Sequence, residues 1–441
     1  MARSSFSRLS RRRRVRVAVP AAVTAVALLL AGCGDGDDDS ADSGNVTLRF
    51  SWWGSDKRHA ATQQVIDLYE SKHPNVKIEG DYVGWEDYWD RLATGVAGGN
   101  SPDVIQMESR YVREYADRGA LADLKPFLGS TIRNADLDPS VAAIGEIDGK
   151  TYAIPTGVNI YAVVANPTLL KAAGAALPDD KSWTWEDLLR TASQVTKNSP
   201  KGTYGLQDMG YVDAGLEIFA RQRGESIYGS DGKLAVSDAT LKEWWGLIVR
   251  SRDTGAEPPA SVSVEVQGGG IDQSLTATGK GALGTWWTNE LPALTEGAKT
   301  DLSLLRFPGE STASKPGMFL KPAMFYSLGQ KSEHKEEAAK FLDFLVNDPE
   351  AAKIILSDRG MPVNLKNRDA IVPSLKPADQ KSAAFIKEVG PSVSSPPPLP
   401  PKGAGAVNDV IQQINEQVLF NRLTVDQAVQ QFRQQAESAI S

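Results

Sequence analysis

The 441-residue chain has one cysteine and three histidines. A single cysteine leaves no partner for an intrachain disulfide, so the fold must rest on its cores. His59, His73 and His334 are scattered, and there is no His-Glu-x-x-His, no Gly-x-Ser-x-Gly and no phosphate-binding Gly-rich Lys-Ser/Thr loop. Metal-dependent and triad chemistry therefore find no motif here, and no metal or cofactor is expected. Gly268-Gly269-Gly270 lacks the strand-and-helix setting of a dinucleotide site and reads as a flexible loop. No internal repeat is evident, and no apolar run reaches the ~20 residues that span a bilayer. Carboxylate pairs stay open, because 55 acids offer many and sequence does not give their separation.

What is present begins with seven arginines (Arg3, Arg8, Arg11 to Arg14, Arg16), an apolar stretch from Val17 to Leu30, and small residues before Cys33. These are the three parts of a secretory signal. Leu30-Ala31-Gly32-Cys33 resembles the lipobox of bacterial lipoproteins, which implies a diacylglycerol on the Cys33 sulfur and a new N-terminus there. The expectation is an exported protein, with residues 1–32 removed, anchored by two acyl chains to the outer face of the cytoplasmic membrane. Ser10-Arg11-Arg12 leaves both general and twin-arginine export open. Removing 32 of 441 residues leaves 409, and since all seven arginines and no acid go with them, the formal charge moves from −7 to −14. That acidity argues against nucleic acid as a partner. The length exceeds one ordinary core and points to two lobes. Residues 33–45 read as a disordered acidic tether: nothing from Gly34 to Gly44 is larger and apolar beyond alanine, and the EF-hand spacing is absent.

From Val46 the pattern changes. Val46, Leu48, Phe50 and Trp52 alternate with polar residues as a strand does. Ser55 or Asp56 then caps a helix carrying Ala61, Val65, Leu68 and Tyr69 and stopped by His73-Pro74. Val76, Ile78 and Tyr82 suggest a second strand, Tyr88 to Val96 a helix, and Asp103 to Met107 a buried strand, a β-α-β-α-β order typical of an α/β sheet. Ligands of such sheets sit beyond the carboxyl ends of strands, here Trp52-Trp53-Gly54 and Met107-Glu108-Ser109-Arg110. Further on, strands are predicted at Ile160–Ala165 and Ala323–Leu328, and a helix starts at Thr184 with Asp187 completing its capping box. Another helix runs from Ala338 to Leu345, with a short one after Asp348-Pro349 closed by Arg359-Gly360. Pro396 to Pro401 reads as a stiff polyproline II connector before a last helical region, Val407–Ser441.

The ten tryptophans fall in five close pairs: Trp52-Trp53, Trp85 with Trp89, Trp183 with Trp185, Trp244-Trp245 and Trp286-Trp287. Adjacent residues of a strand point to opposite sides, so one ring of a pair can be buried while the other faces a cleft. An exposed indole matches the C–H face of a pyranose, although packing is the competing role for each and fits Trp244-Trp245 on their helix stripe.

Taken in order, Leu48 to Gly54, Leu68-Tyr69-Glu70, Asn100 to Ile105, Tyr152 to Pro155, Thr184 to Leu188, Gly279 to Ala282, Lys335 to Leu345, Arg359 to Asn364 and Leu423 to Ala428 carry a resemblance over nearly the whole mature chain. The sequence resembles the family 1 extracellular solute-binding proteins, the sugar-binding lipoproteins of ABC importers related to maltose-binding protein. The resemblance implies an α/β periplasmic-binding-protein type II fold. Residues 46–157 with 321–362 would form lobe 1 and 158–320 with 363–441 lobe 2, a solute cleft lying between them. It places ligand contacts at Trp53, Asp56, Arg58, Trp85, Glu108, Ser109, Arg110, Asn159, Asp208, Tyr211, Trp286, Trp287, Asn289 and Arg359. It also implies hinges near Gly157–Ile160 and Leu320–Pro322, a carbohydrate ligand, an ABC permease as partner, a monomer and no catalysis. Gly403-Ala404-Gly405-Ala406 stands where maltose-binding protein carries an aromatic, which disfavours a maltodextrin. Arg58, Arg110 and Arg359 would suit an acidic sugar or another anion if they lined the cleft, and structural ion pairs if they did not. A lipid-anchored glycoside hydrolase and an adhesive surface lipoprotein are the rivals from other classes.

Overall fold

The computed structural model describes residues 45–440. The signal, Cys33 and the tether up to residue 44 lie outside the described residues. The strands β1 (Val46–Trp53), β2 (Val76–Val83) and β3 (Val104–Met107) are linked by α1 (Asp56–Lys72) and α2 (Trp85–Ala97), and β1 pairs in parallel with both β2 and β3. Ser55 stands at the N-cap of α1 with extended backbone but no side-chain cap bond, and the helix ends before His73-Pro74 as the sequence indicates. The helix α3 (Ser109–Asp117) follows β3 at once, capped by the Glu108 carboxylate accepting from the Arg110 amide at 2.8 Å. A two-strand hairpin of β4 (Glu146–Ile147) and β5 (Lys150–Thr151) leads into β6 (Ile154–Ala165). Then come α4 (Pro167–Ala172), α5 (Trp185–Asn198), β7 (Tyr204–Leu206), α6 (Asp213–Arg221), α7 (Asp238–Asp253), β8 (Gly281–Trp287), β9 (Ser303–Leu305), β10 (Leu320–Leu328) and β11 (Met361–Pro362). The capping box read at α5 is present: Thr184 Oγ1 accepts from the Asp187 amide, and Asp187 accepts from the Thr184 amide.

β6 extends the strand read at Ile160–Ala165 by six residues toward the N-terminus and serves two sheet halves. Up to Ile160 it pairs antiparallel with β10 and β11, and from Tyr161 onward with β8 and β9. The sheet order is β2-β1-β3-β10-β6-β8-β7, with β7 parallel to β8. The change of partners falls where Leu320, Lys321 and Pro322 lie opposite Ile160, Asn159 and Val158. β10 is irregular just beyond Pro322, a position where a strand can accommodate a proline that donates no ladder bond. Here too the backbones come unusually close: a Cβ on Gly157 would lie 2.5 Å from the Arg359 carbonyl oxygen. Glycine is required at that approach, and Gly360 facing it has φ +82°, which only glycine adopts freely.

Two sequence expectations need correction. The helix after Asp348-Pro349 spans Pro349–Ile355 and is ended by Leu356 at φ +52°, so Arg359-Gly360 does not close it but forms the turn against β6. The final helical region divides into Ala404–Leu419 and Val425–Ala439, separated by Asn421 at φ +56°. The core around β1 joins Phe50 to Trp52, Tyr326 and Phe341 at ring separations of 4.8–5.8 Å. Each large apolar side chain removed from water in this way contributes about 1.5–3 kcal/mol. Trp244 and Trp245 of α7 are fully buried, in keeping with the packing role. Among the described residues no helix is long and apolar enough to cross a membrane.

Candidate functional site

A cleft enclosing about 810 Å³, open solvent included, lies at the change of partners along β6. Its walls come from the start of α3 (Ser109, Arg110), the start of α6 (Asp213, Ala214, Glu217), the segment Ser226–Tyr228, Trp287 at the end of β8, Phe319, Lys321 and Pro322 around the start of β10, and Pro396 to Pro400. The carboxyl end of β3 thus opens on the cleft as expected. Trp52-Trp53, at the end of β1, does not line it.

The polar groups divide into committed and free. Glu108 accepts from the Ser109 hydroxyl at 2.8 Å and from the Arg110 amide, and Lys321 Nζ lies 3.6 Å away. Burial opposes its ionisation, but the charges of Lys321 and Arg110 and these hydrogen bonds hold its pKa below the ordinary value. Glu217 is committed to the Ser226 hydroxyl and the Ile227 amide, and burial pushes its pKa up. In contrast, neither the Arg110 guanidinium nor the Asp213 carboxylate has a hydrogen-bond or ion-pair partner among the described residues. Burial pulls the Arg110 pKa down, yet Glu108 and Asp213 keep it above the ordinary value. A half-buried indole, Trp287, stands with Lys321 Nζ 5.1 Å from its ring centre. The cleft can therefore offer an aromatic face, one free cation and one free carboxylate to a single guest.

Of the fourteen predicted contacts, Ser109, Arg110 and Trp287 come together on the cleft wall. Glu108 stands behind them as the α3 cap, and Asn159 is buried in β6 beside Lys321. Trp286 turns away from Trp287 and donates from Nε1 to Thr276 Oγ1 at 3.0 Å, as alternation requires. Trp53 and Trp85 belong to an aromatic cluster with Tyr88 and Trp89, with Trp85 partly exposed. Asp56 and Asn289 are exposed, and neither lines the cleft. Arg58 is bound to Asp358 at 2.7 Å. Arg359 is 2% exposed, donating to Gln106 and Thr62 at 2.8 Å each, so both arginines serve as structural ties within the protein.

Asp208 and Tyr211 line a separate small cavity with Gln207 and Ser263. Asp208 accepts from the Gly210 amide at 2.6 Å and from Asn415 Nδ2 at 3.2 Å. Nearby Glu257, 4% exposed, has no partner for either oxygen, and the Tyr211 hydroxyl has none. Burial raises the pKa of Asp208 to about 6. For Glu257, burial together with the Asp208 charge raises it well above the ordinary value.

Sequence reasoning missed Asp213, Tyr228, Phe319 and Lys321 as cleft residues, and it read Pro396–Pro400 as a connector although the segment forms a wall. Lys321 had a signal, since it falls inside the predicted hinge range. The proline wall had none, because its position depends on long-range packing of Leu399 into the aromatic cluster of Trp53 and Tyr88.

Comparison with known proteins agrees with this architecture. The family described as bacterial extracellular solute-binding protein matches residues 53–352. An uncharacterized lipoprotein from the oleD 5′ region of Streptomyces antibioticus is 25% identical over 327 residues, 72% of this chain and 71% of that one. The diacetylchitobiose binding protein DasA of Streptomyces coelicolor is 25% identical over 349 residues, 77% of each chain. The solved structure of an extracellular solute-binding protein family 1 member from Alicyclobacillus acidocaldarius superposes with a TM-score of 0.75 at 27% identity, covering 90% of this chain and 99% of that one. With a family match over most of its length and the two-lobe α/β plan of these relatives, the chain belongs to the bacterial extracellular solute-binding proteins.

Proposed function

We propose that the protein is the capture component of an ABC importer, binding a sugar or small oligosaccharide between its lobes and delivering it to a membrane permease without making or breaking a bond. The observation that carries this reading is Trp287, an indole at the cleft wall in the same space as the unpartnered Arg110 and Asp213. A stacking face plus a donor and an acceptor is what a pyranose needs. DasA, by its name a sugar binder, supports the ligand class. In this reading lobe 1 comprises 46–157 with 321–362 and lobe 2 comprises 158–320 with 363–441, hinged where β6 changes partners. Cys33 carries the lipid anchor, and the protein works as a monomer on the outer face of the membrane. The lining charges balance, Arg110 and Lys321 against Asp213 and Glu217, which favours a neutral saccharide over an acidic one.

A thermal-shift screen against neutral and acidic saccharides tests the proposal. A true ligand at 100 times its Kd adds about 2.7 kcal/mol to the folded state. The same samples should show a smaller radius of gyration in X-ray scattering. Stabilisation by no saccharide, or an unchanged scattering curve at saturation, would count against capture and closure respectively.

A further inference from the structure

The Pro396–Pro400 wall of the cleft is fastened to one side of the molecule and reaches into the other with a single side chain. Ahead of it, the Ser394 amide donates to the Met318 carbonyl at 2.9 Å, Ser394 bridges Phe319, and Arg221 of α6 donates to the Ser395 carbonyl. Behind it, Pro401 is buried beside Gly232, and Gly403 is wedged against the last helix, where a Cβ would lie 1.9 Å from the Ala439 carbonyl oxygen. All these anchors fall within 158–320 and 363–441, the segments read as lobe 2. Between them, none of residues 396 to 400 makes a main-chain hydrogen bond to another described residue, and only Leu399 is buried. Its side chain packs in a cluster with Trp53, Tyr88, Met107, Val112 and Phe325, and every other member of that cluster lies within 46–157 or 321–362, the segments read as lobe 1.

Four prolines in five residues fix φ and keep this stretch near polyproline II. The leucine is thus held across the cleft at a set reach and loses little chain freedom on docking. A hinge motion that carries the lobes apart has to draw Leu399 out of its aromatic socket into water, an unfavourable exposure that no main-chain bond along 396–400 offsets. The same stretch lines the cleft, so its release also uncovers the guest. Resting on the two-lobe saccharide reading above, we infer that Leu399 is a latch. Docked, it holds the lobes together across the cleft, and its release precedes exchange of the ligand.

The test is Leu399→Ala, followed by X-ray scattering without ligand and by stopped-flow dissociation of two probes, cellobiose and N,N′-diacetylchitobiose. Truncating a buried leucine shifts a docking equilibrium by roughly tenfold or more. The ligand-free variant should therefore have a larger radius of gyration than the wild type, and whichever probe binds should leave roughly tenfold faster. Leu399→Met, which keeps the apolar reach, should match the wild type in both measurements. A residue that only packs the core would lower the melting temperature and move neither. Melting curves establish that Leu399→Ala is folded, and if it is not, Leu399→Val carries the test with the same signs. An unchanged ligand-free radius in a folded variant overturns the latch, and the two-lobe reading stands if the wild type still contracts with a bound probe. Dissociation as slow as in the wild type overturns the role in exchange. A larger radius in a variant whose wild type binds neither probe nor any saccharide of the wider panel supports the latch and counts against the saccharide reading alone. A wild type whose radius does not respond to a bound probe overturns lobe closure and the latch together.

Discussion

Two strands of this protein end in adjacent tryptophans, and the two pairs have different fates. At the end of β1, Trp52 is fully buried beside Phe50 and Tyr82 and donates from Nε1 to His59 Nδ1 at 3.0 Å. Trp53 turns the other way and is also buried, its ring 5.1 Å from both Trp85 and Tyr88. At the end of β8 the alternation is the same, but both rings are only partly buried: Trp286 bonds to Thr276 on one side, and Trp287 lies against Tyr161 on the other, where it also lines the cleft. The cause lies in position within the sheet. β1 is flanked by β2 and β3 with packed side chains on both faces, whereas Trp287 pairs with Tyr161, the first residue of β6 after it leaves β10. A tryptophan pair therefore brings a ring to the cleft here only where the sheet changes partners.

The largest effect should come from breaking the covered pair. Trp52→Ala removes a fully buried indole and its bond to His59, and truncations of this kind cost about 3–5 kcal/mol. Chemical denaturation should show that loss, while the variant that remains folded binds sugar as the wild type does. A melt indistinguishable from wild type would mean that the β1 pair does not hold the core together.

The open pair should respond in the opposite sense. Hot-spot side chains commonly cost 2 kcal/mol or more on truncation, so Trp287→Ala should weaken sugar binding roughly thirtyfold with little change in melting temperature. Trp286→Ala should instead lower the melting temperature, through lost packing and the lost bond to Thr276, and leave affinity nearly intact. Calorimetry beside thermal melts of both variants decides the matter. Equal effects on binding would erase the distinction between the two faces of β8.

How much of this was legible depended on the range of the interactions involved. β1, β2, β3 and α1 followed from local periodicity and a proline stop, and the α5 capping box from four consecutive residues. The positions of Ser109 and Arg110 followed from a general rule about strand ends. Arg58 and Arg359 were ambiguous because a guanidinium looks the same in sequence whether its partner is a ligand or an aspartate 300 residues away, as Asp358 is for Arg58. The proline wall was invisible for a similar reason. Polyproline II geometry is local, but its placement is set by where Leu399 packs.

The smallest effect expected is in pH dependence, and it contrasts the cleft, where free charges face solvent, with the sealed pair Asp208 and Glu257. Both carboxyls hold their protons more tightly in the folded state than in the unfolded chain, Asp208 to about 6 and Glu257 well above its ordinary value. Their contribution to stability is therefore complete below the ordinary carboxylate range, where both states are protonated. It is lost as pH rises through 6 toward neutrality, because the unfolded chain releases these protons first. Glu257→Gln removes one titration at a site whose carboxyl oxygens have no partners to lose. The melting temperature of Glu257→Gln relative to wild type should thus climb between pH 5 and pH 8. Each tenfold difference in proton affinity is worth about 1.4 kcal/mol, so the climb should amount to only a few degrees. A difference that stays flat across this range would show that Glu257 is not held protonated, and that the buried pair is neutralised in another way.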